Sequence, residues 1–420
     1  MSLDTTRADR LSSYGHPRET SPRLSEFAAG GARVELAFAP AATTAPSHAS
    51  LFTSRYPIAH RVLKNGVPLP EAEQTLAELL RARGYQTAAF VSSFVLDARF
   101  GLAQGFDLWD AELSPRGAGM QWEGRVVEGG FDRRADATTA RALRWLSDRR
   151  DPARPFFLFV HYFDPHDPYD PPEPFASRFA GESAAHASSS RELNLYDGEL
   201  AYTDAALGAL LDALDASGLR GDTLAIVFGD HGEGLYDHGH MAHGLHVYDE
   251  AVRVPLVLRF PGRIPAGRVL AGPASLLDVL PTALELLGIE RPEGLAGLSL
   301  APALRGEAEL DPERPIFLYR RHYDGATAFG DLTPRGDKLA IRRGQWKYIE
   351  GGEQPSRELY DLLADPRERN DVHAELPSRA AELAAELHAW RDAHAAADAQ
   401  PARELSDEEK AGLGALGYAP

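Results

Sequence analysis

Residues 156–169 read FFLFVHYFDPHDPY. Five apolar residues, Phe156 to Val160, run without a break and give way to His161, Asp164, His166 and Asp167. An unbroken apolar run of this length marks a strand buried on both faces, and in helix-covered sheets ligand-binding residues lie just past the strands' carboxyl ends. The texture recurs at residues 223–250, TLAIVFGDHGEGLYDHGHMAHGLHVYDE, where the run ending at Phe228 delivers Asp230 and His231, then His238, His240, His243 and His246. Arg33 to Phe38 and Val254 to Phe260 are further strand candidates, while Glu71 to Ala82 and Leu200 to Leu214 carry apolar residues at helical spacing. Strands alternating with helices predict an α/β fold with a parallel sheet covered by helices on both faces.

Outward from this core the texture changes. Asp110 to Gly130 and the serine-rich Ser183 to Ser190 have no periodicity and read as loops. Beyond Gly306, Pro315 to Tyr319, Lys338 to Arg342 and Trp346 to Glu350 are short strand candidates, followed by a helical stretch, Ser378 to His394. The expected organisation is a catalytic domain over 1–310, a small antiparallel sheet with a helix over 311–395, and a tail over 396–420. Only three residues precede Asp4, fewer than a sheet strand normally supplies. The first strand is therefore expected to be truncated and to begin upstream, so the compartment cannot be read from this end.

Composition narrows the chemistry. The 420 residues are 44% hydrophobic and 25% charged, as in soluble globular proteins, and no run suits a membrane span. A formal charge of −18 with no basic cluster argues against nucleic acid and anionic membrane surfaces as partners. The absence of cysteine excludes disulfides and thiolate chemistry.

Asp230 and His231 at one strand end, with Asp4 in SLDTTRAD (residues 2–9), make a mixed oxygen and nitrogen site for a divalent metal. Solvated surface histidines are the plainer alternative, and their crowding between His231 and His246 speaks against it. In APAATTAPSHASLFTSRYP (residues 39–57), Ala49 to Phe52 reads as the first turn of a helix capped by Ser47, with Thr44 just before it. A hydroxyl there, beside a metal, is suited to attack phosphorus or sulfur, although on spacing alone an ordinary capping loop is the better account of the stretch.

The segments SLDTTRADRLSSYG, TTAPSHASLFTSRYP, HYFDPHDPY, FGDHGEGLYDHG, HGLHVYDEAVRVPLVLRFPG and ELYDLLADPRERNDV occur in the order of corresponding blocks in sulfatases. On these residues the chain resembles the sulfatase family of the alkaline-phosphatase superfamily. The resemblance implies an alkaline-phosphatase-like mixed, mainly parallel sheet sandwiched by helices, with a small C-terminal antiparallel sheet. It implies one divalent ion held by Asp4, Thr44, Asp230 and His231, manganese or zinc rather than calcium because a histidine joins the oxygen donors. Thr44 stands where sulfatases carry the cysteine or serine that becomes formylglycine, and resembles instead the nucleophile of phosphoryl-transferring relatives. His166 resembles the histidine that contacts the transferred anion, and His243 the one that protonates the leaving oxygen, with His161 and His246 as further candidates. His48 replaces the family's arginine, Thr5 its second aspartate, and no lysine follows Gly84, Tyr85, Thr87 and Ala88. His48, His166 and His243 are expected to stand in for the missing cations. The implied activity is hydrolysis of a sulfate or phosphate ester of a small molecule, glycan or lipid through a Thr44-linked intermediate. Two alternatives remain open on these residues: an anion-binding pseudoenzyme, and a phosphoalcohol transferase.

Overall fold

The structure, a computed structural model, describes residues 1–113, 121–122, 125–126, 131–180, 187–325, 334–352, 356–395 and 406. The tail expected over 396–420 lies outside the described residues except for Ser406.

The strands, in chain order, are β1 (Ser2–Leu3), β2 (Ala32–Phe38), β3 (Gln86–Phe90), β4 (Leu108–Asp110), β5 (Gln121–Trp122), β6 (Arg125–Val126), β7 (Phe156–Tyr162), β8 (Ala225–Gly229), β9 (Arg253–Val254), β10 (Leu256–Arg259) and β11 (Arg268–Ser275). Apart from the antiparallel pair β5–β6 they form one sheet, ordered β11-β2-β10-β8-β1-β7-β3-β4 with β9 paired to β2. Its pairs are parallel except those made by β9 and β10, so the sheet is mixed and mainly parallel. Neighbouring residues of one strand point to opposite faces. Phe159 and Phe228 accordingly join the core under the helices Thr44–Thr53, Leu76–Arg81 and Val279–Leu286. Val160 and Val227 join the core under Pro22–Ala29, Ala135–Arg144 and Ala187–Ala216. Continuous apolar strands follow from burial on both sides.

β1 is two residues long yet lies mid-sheet, with Ser2 opposite His161 on one side and Phe228 on the other. The Met1 ammonium donates to the Ile226 carbonyl at 2.8 Å, and burial lowers its pKa to about 5. Beside it, an apolar cavity of about 390 Å³ opens between β7 and β8, lined by Phe156 to Val160, Ala225 and Ile226 among others. This cavity lies at the amino ends of the strands, away from the polar clusters.

Several local expectations change. The Val254 to Phe260 run is broken at Pro255 into β9 and β10, because proline cannot donate to a ladder. The helix expected over Glu71 to Ala82 begins only at Leu76, where Thr75 and Glu78 form a reciprocal capping box. The helix expected over Leu200 to Leu214 runs from Ala187 to Ala216, so Ser188 to Ser190 are helical rather than loop. Residues 183–186 of that stretch lie outside the described residues. Within the loop expected over Asp110 to Gly130, β4 ends at Asp110 and β5 pairs with β6.

A second sheet, antiparallel, takes the order β12 (Ile316–Asp324), β13 (Arg335–Arg343), β14 (Trp346–Gly351) and β15 (Ser356–Asp361). The helix Pro377–His394 covers it through Leu383, Leu387 and Trp390. β12 also reaches the main sheet: Ala41 bridges Tyr319, whose N–H donates to the Pro40 carbonyl at 2.9 Å. The small sheet thereby buttresses the segment that leads into Thr44. Among the described residues no helix is long and apolar enough to cross a membrane.

Candidate active site

Three strand ends and one helix converge at the carboxyl edge of the main sheet. β1 delivers Asp4, whose backbone N–H donates to the Tyr162 carbonyl at 2.9 Å; β8 delivers Asp230 and His231; β7 delivers His161. The helix Thr44–Thr53 begins at Thr44 itself. This corrects the expectation that Ser47 caps the helix: Ser47 lies within it, and its hydroxyl donates to the Asp230 carbonyl at 2.6 Å. A bond from the helix to the strand end outweighs local capping and fixes Thr44 over Asp230.

Asp4, Thr44, Asp230 and His231 are fully buried and face one another. The Nδ1 of His231 lies 2.9 Å from the Gly232 carbonyl, to which it donates in the tautomer that leaves Nε2 a lone pair. That Nε2 is 3.2 Å from Thr44 Oγ1, 3.5 Å from Asp4 Oδ1 and 3.7 Å from Asp230 Oδ2. Four donors around an ion bound at about 2.0–2.2 Å stand roughly 3.3–3.6 Å apart in a tetrahedron, so the spacing suits a divalent metal. Asp230 Oδ1 accepts the N–H groups of Thr5 (3.2 Å) and His231 (2.8 Å), which aims Oδ2 inward. Both Asp4 oxygens and Asp230 Oδ2 lack hydrogen-bond partners among the described residues. Buried carboxylates without donors are rare in folded proteins unless a cation meets them. Burial, with the charge of Glu233 on Asp4 and of Asp4 on Asp230, pushes both carboxyls well above their usual range.

His243 packs its ring 4.6 Å from that of His231 and 4.9 Å from that of His166, centroid to centroid. His166 stacks on Phe163 and turns Nδ1 to the Asp167 carbonyl. The structure thus brings Thr44, His166 and His243 to one place. Burial pulls both imidazoles down, His243 to about 3 with the Arg321 charge adding to the effect. His246 stacks instead against His240 and Tyr248, apart from this group.

His48 does not supply the cation expected of it. Fully buried, it places Nδ1 2.8 Å from the Thr44 carbonyl and Nε2 2.9 Å from Ser2 Oγ, and burial with the neighbouring His161 holds it neutral. Its Nδ1 also lies 3.7 Å from Asp230 Oδ2.

Three residues gain a role here that pattern reading did not assign, Glu233, Asn65 and Arg321, and His161, already a candidate, gains a partner. Glu233, buried, sets Oε2 3.3 Å from His243 Nδ1, and burial raises its pKa to about 8. Asn65 accepts the Ala45 N–H at 2.8 Å while its own amide nitrogen stays buried without a partner among the described residues, next to Thr44 in the chain fold. Arg321, on β12, stacks over Tyr323 at 4.1 Å, and the Tyr323 hydroxyl donates to the Gly244 carbonyl beside His243. His161, fully buried, has its Nε2 3.2 Å from Asp4 Oδ2. Of the three, only Glu233 had a signal in the chain, its adjacency to the Asp230–His231 pair.

The family model "Sulfatase" matches residues 2–289, and the model "N-sulphoglucosamine sulphohydrolase, C-terminal" matches residues 232–393. An ulvan-active sulfatase of Formosa agariphila is 28% identical over 88% of this chain and 75% of its own length. The multifunctional alkaline phosphatase superfamily protein PehA of Trinickia caryophylli is 27% identical over 83% and 85%. Among solved structures, BT4656 in complex with its substrate D-glucosamine-2-N,6-O-disulfate superposes with a TM-score of 0.78 at 22% identity, covering 94% of this chain and 97% of that one. The phosphonate monoester hydrolase of Agrobacterium radiobacter gives 0.77 at 24% identity, covering 94% and 95%. With the ordered blocks, the mixed sheet and the buried Asp4–Thr44–Asp230–His231 cluster in place, the chain belongs to the sulfatase family of the alkaline-phosphatase superfamily and is a hydrolase of sulfuric or phosphoric esters.

Proposed function

We propose that the chain is a metal-dependent hydrolase in which the Thr44 hydroxyl attacks the sulfur or phosphorus of an anionic ester and carries the transferred group as a covalent intermediate. The observation that supports this reading best is the placement of Thr44 Oγ1 3.2 Å from His231 Nε2, among carboxylate oxygens without hydrogen-bond partners among the described residues. Asp4, Asp230, His231 and Thr44 would hold the ion, which when bound supplies Lewis acidity that lowers the pKa of the hydroxyl and offsets charge on the transferred group. The donor set, one imidazole with oxygens, favours manganese or zinc over calcium.

Around that centre the chain's own groups divide the work. The helix start presents the Thr44 oxygen, the Ser47 bond to Asp230 fixes its height, and His166 borders the transferred anion. His243 gives a proton to the leaving oxygen, while Glu233 at its Nδ1 orients the ring. In the free protein burial and Arg321 disfavour a charged His243; an anionic ester beside it acts in the opposite sense. A second anion-holding charge comes from Arg321 rather than His48. Water then cleaves the Thr44 ester and restores the hydroxyl.

A threonine in place of a formylglycine precursor favours phosphate monoesters, diesters or phosphonates, whereas the ulvan-active relative keeps carbohydrate sulfates within the candidate class. The discriminating experiment is a panel of aryl sulfates, glycan sulfates, phosphate monoesters, diesters and phosphonates, run with several metals. Mass spectrometry of the quenched reaction follows. Hydrolysis of at least one class, abolished by chelation and accompanied by an adduct on Thr44, is the expected result. Turnover that survives both chelation and Thr44→Ala would refute the reading.

A further inference from the structure

Arg7 and Arg133 are buried guanidinium groups with carboxylate partners, Asp9 and Asp237 for the one and Asp110 for the other. Arg321 is as buried, at 5% exposure, yet among the described residues no carboxylate pairs with it and its Nε has no hydrogen-bond partner. It lies 4.1 Å over the Tyr323 ring. The preceding Arg320, by contrast, spends its guanidinium on the Arg335 and Gly336 carbonyls at 3.3 and 3.0 Å. The difference comes from a break in the β12–β13 ladder. Arg320 opposes Lys338 and Tyr323 opposes Gly336, so Arg321 and His322 share the single residue Asp337. A bulge of this kind re-aims a side chain.

Here the side chain is aimed at the candidate active site. The Tyr323 hydroxyl beneath it donates to the Gly244 carbonyl at 3.2 Å, and a Cβ on Gly244 would stand 3.1 Å from Thr43 Cγ2 and 3.4 Å from that hydroxyl. Tyr323, the histidine loop and the residue before Thr44 are therefore packed together. His243 feels the Arg321 charge, which adds to burial in lowering its pKa to about 3. Lys64, half-buried, stands directly before Asn65, which accepts the Ala45 N–H in the first turn of Thr44's helix. Its ammonium also has no ion pair among the described residues. Burial lowers the Lys64 pKa and the Arg321 charge lowers it further, while Asp324 acts in the opposite sense. Two cations are thus held within reach of each other's field in a chain whose formal charge is −18. Like charges so placed raise the free energy of the empty site, and a bound anion removes that repulsion.

We propose that Lys64 and Arg321 bind a second anionic group, a carboxylate, sulfate or phosphate carried by the leaving group, so that the substrates are esters of an alcohol that is itself anionic. His243 assigns the side: it gives its proton to the leaving oxygen, and it is the histidine that feels Arg321. A planar guanidinium fork beside a compact ammonium suits an oxyanion with two or three oxygens. The inference rests on the hydrolase reading and names the class of alcohol released.

The probes are phenyl phosphates and phenyl sulfates bearing a meta carboxymethyl group or its neutral carbamoylmethyl counterpart, and a meta sulfomethyl group or its neutral sulfamoylmethyl counterpart. Members of a pair match in size and closely in leaving-group acidity, so their ratio cancels any loss common to both. The readouts are kcat/KM for the full chain and, by calorimetry, Kd for the Thr44→Ala protein. The anionic member should be favoured by roughly 10- to 100-fold in at least one pair, through KM and Kd rather than kcat, as for a hydrogen bond between charged groups. Lys64→Met and, separately, Arg321→Met should each cut that preference by about tenfold, and Lys64→Arg should keep most of it. Equal values within every pair, or a preference that persists in Lys64→Met, overturns the proposal. Lys64, half-buried, carries the test where Arg321→Met fails to fold. If no ester is turned over, the hydrolase reading fails while the calorimetric ratio still decides the subsite, so the two failures are distinguishable.

Discussion

Lys347 on β14 offers a direct test of how the small sheet supports the site. Its ammonium is fully buried, 2.8 Å from Asp249 Oδ1 and 2.8 Å from Glu368 Oε1, and the Asp249 N–H donates to the other Glu368 oxygen at 2.6 Å. Asp249 closes the histidine loop that carries His243, so the ion triad ties that loop to the small sheet. Lys347→Met keeps much of the stem's apolar packing but leaves two carboxylates buried side by side. Removing one partner of a buried ion pair costs about 3–5 kcal/mol, and at an effective dielectric of about 20 the exposed carboxylate repulsion at 4 Å is of the same order. With an unfolding entropy of about 2.1 cal/mol/K per residue over the chain, that corresponds to a thermal midpoint lowered by about 3–6 °C. The sign of its pH dependence follows from Glu368. Burial already raises this carboxyl to about 7, against the pull of Lys347; without Lys347 it rises further. A carboxyl raised in the folded state binds its proton more tightly there, so the penalty is full above the raised value and shrinks as pH falls toward the unfolded one. Calorimetry and urea unfolding at pH 7.5 and 5.5 should therefore show a larger loss at pH 7.5. Adding Glu368→Gln to Lys347→Met should recover part of it. A loss under about 1 kcal/mol at pH 7.5, or no recovery in the double variant, would refute the reasoning.

Thr44→Ala should lower kcat by roughly a thousandfold or more, as loss of a nucleophile does. The fold should survive, since one buried hydroxyl contact worth about 0.5–1.5 kcal/mol is partly offset by alanine's helix propensity; unchanged kcat would remove Thr44 from the chemistry. His243→Gln should reduce kcat/KM little for esters with acidic leaving groups and strongly for alkyl esters, and a uniform loss across leaving groups would argue against proton donation. His238 bonds the Glu250 carboxylate at 2.6 Å and stacks on Tyr248. Burial alone would lower its pKa, but the Glu250 hydrogen bond and charge prevail and raise it. Its contribution is thus full below the unfolded histidine value of about 6.5 and fades as pH rises through the folded one. Thermal midpoints of His238→Gln should fall short of wild type at pH 6 and converge with it at pH 9, and parallel curves would refute the pairing.

Much of the architecture was legible because strand-end clusters are local. An apolar run followed at once by Asp230 and His231, or by His161 and His166, announces both a buried strand and the polar cluster at its end within a dozen residues. The small sheet was legible too, three of its four strands being anticipated, while β15 was hidden inside a stretch that reads as polar. Boundaries suffered where one interaction overrode a periodicity, as with the Thr75–Glu78 capping box and the proline between β9 and β10.

By itself, then, the amino-acid sequence determined the family and the mixed sheet, and it named Asp4, Thr44, Asp230, His231, His166 and His243 as the candidates that the fold brings together, since each stands in a short block whose chemistry is local. Tertiary structure alone decided what surrounds them. Whether His48 is a cation or a neutral buried ring depends on its burial beside His161, which a distant strand supplies, and the aim of Asp230 depends on Thr5, 225 residues away. Arg321 reaches the histidine loop only because β12 folds back against it, and Asn65 meets Thr44's helix through a loop without pattern. Charge and hydrogen bonding act through distances of a few ångströms, and those distances are set by how the strands stack rather than by the order of residues along the chain.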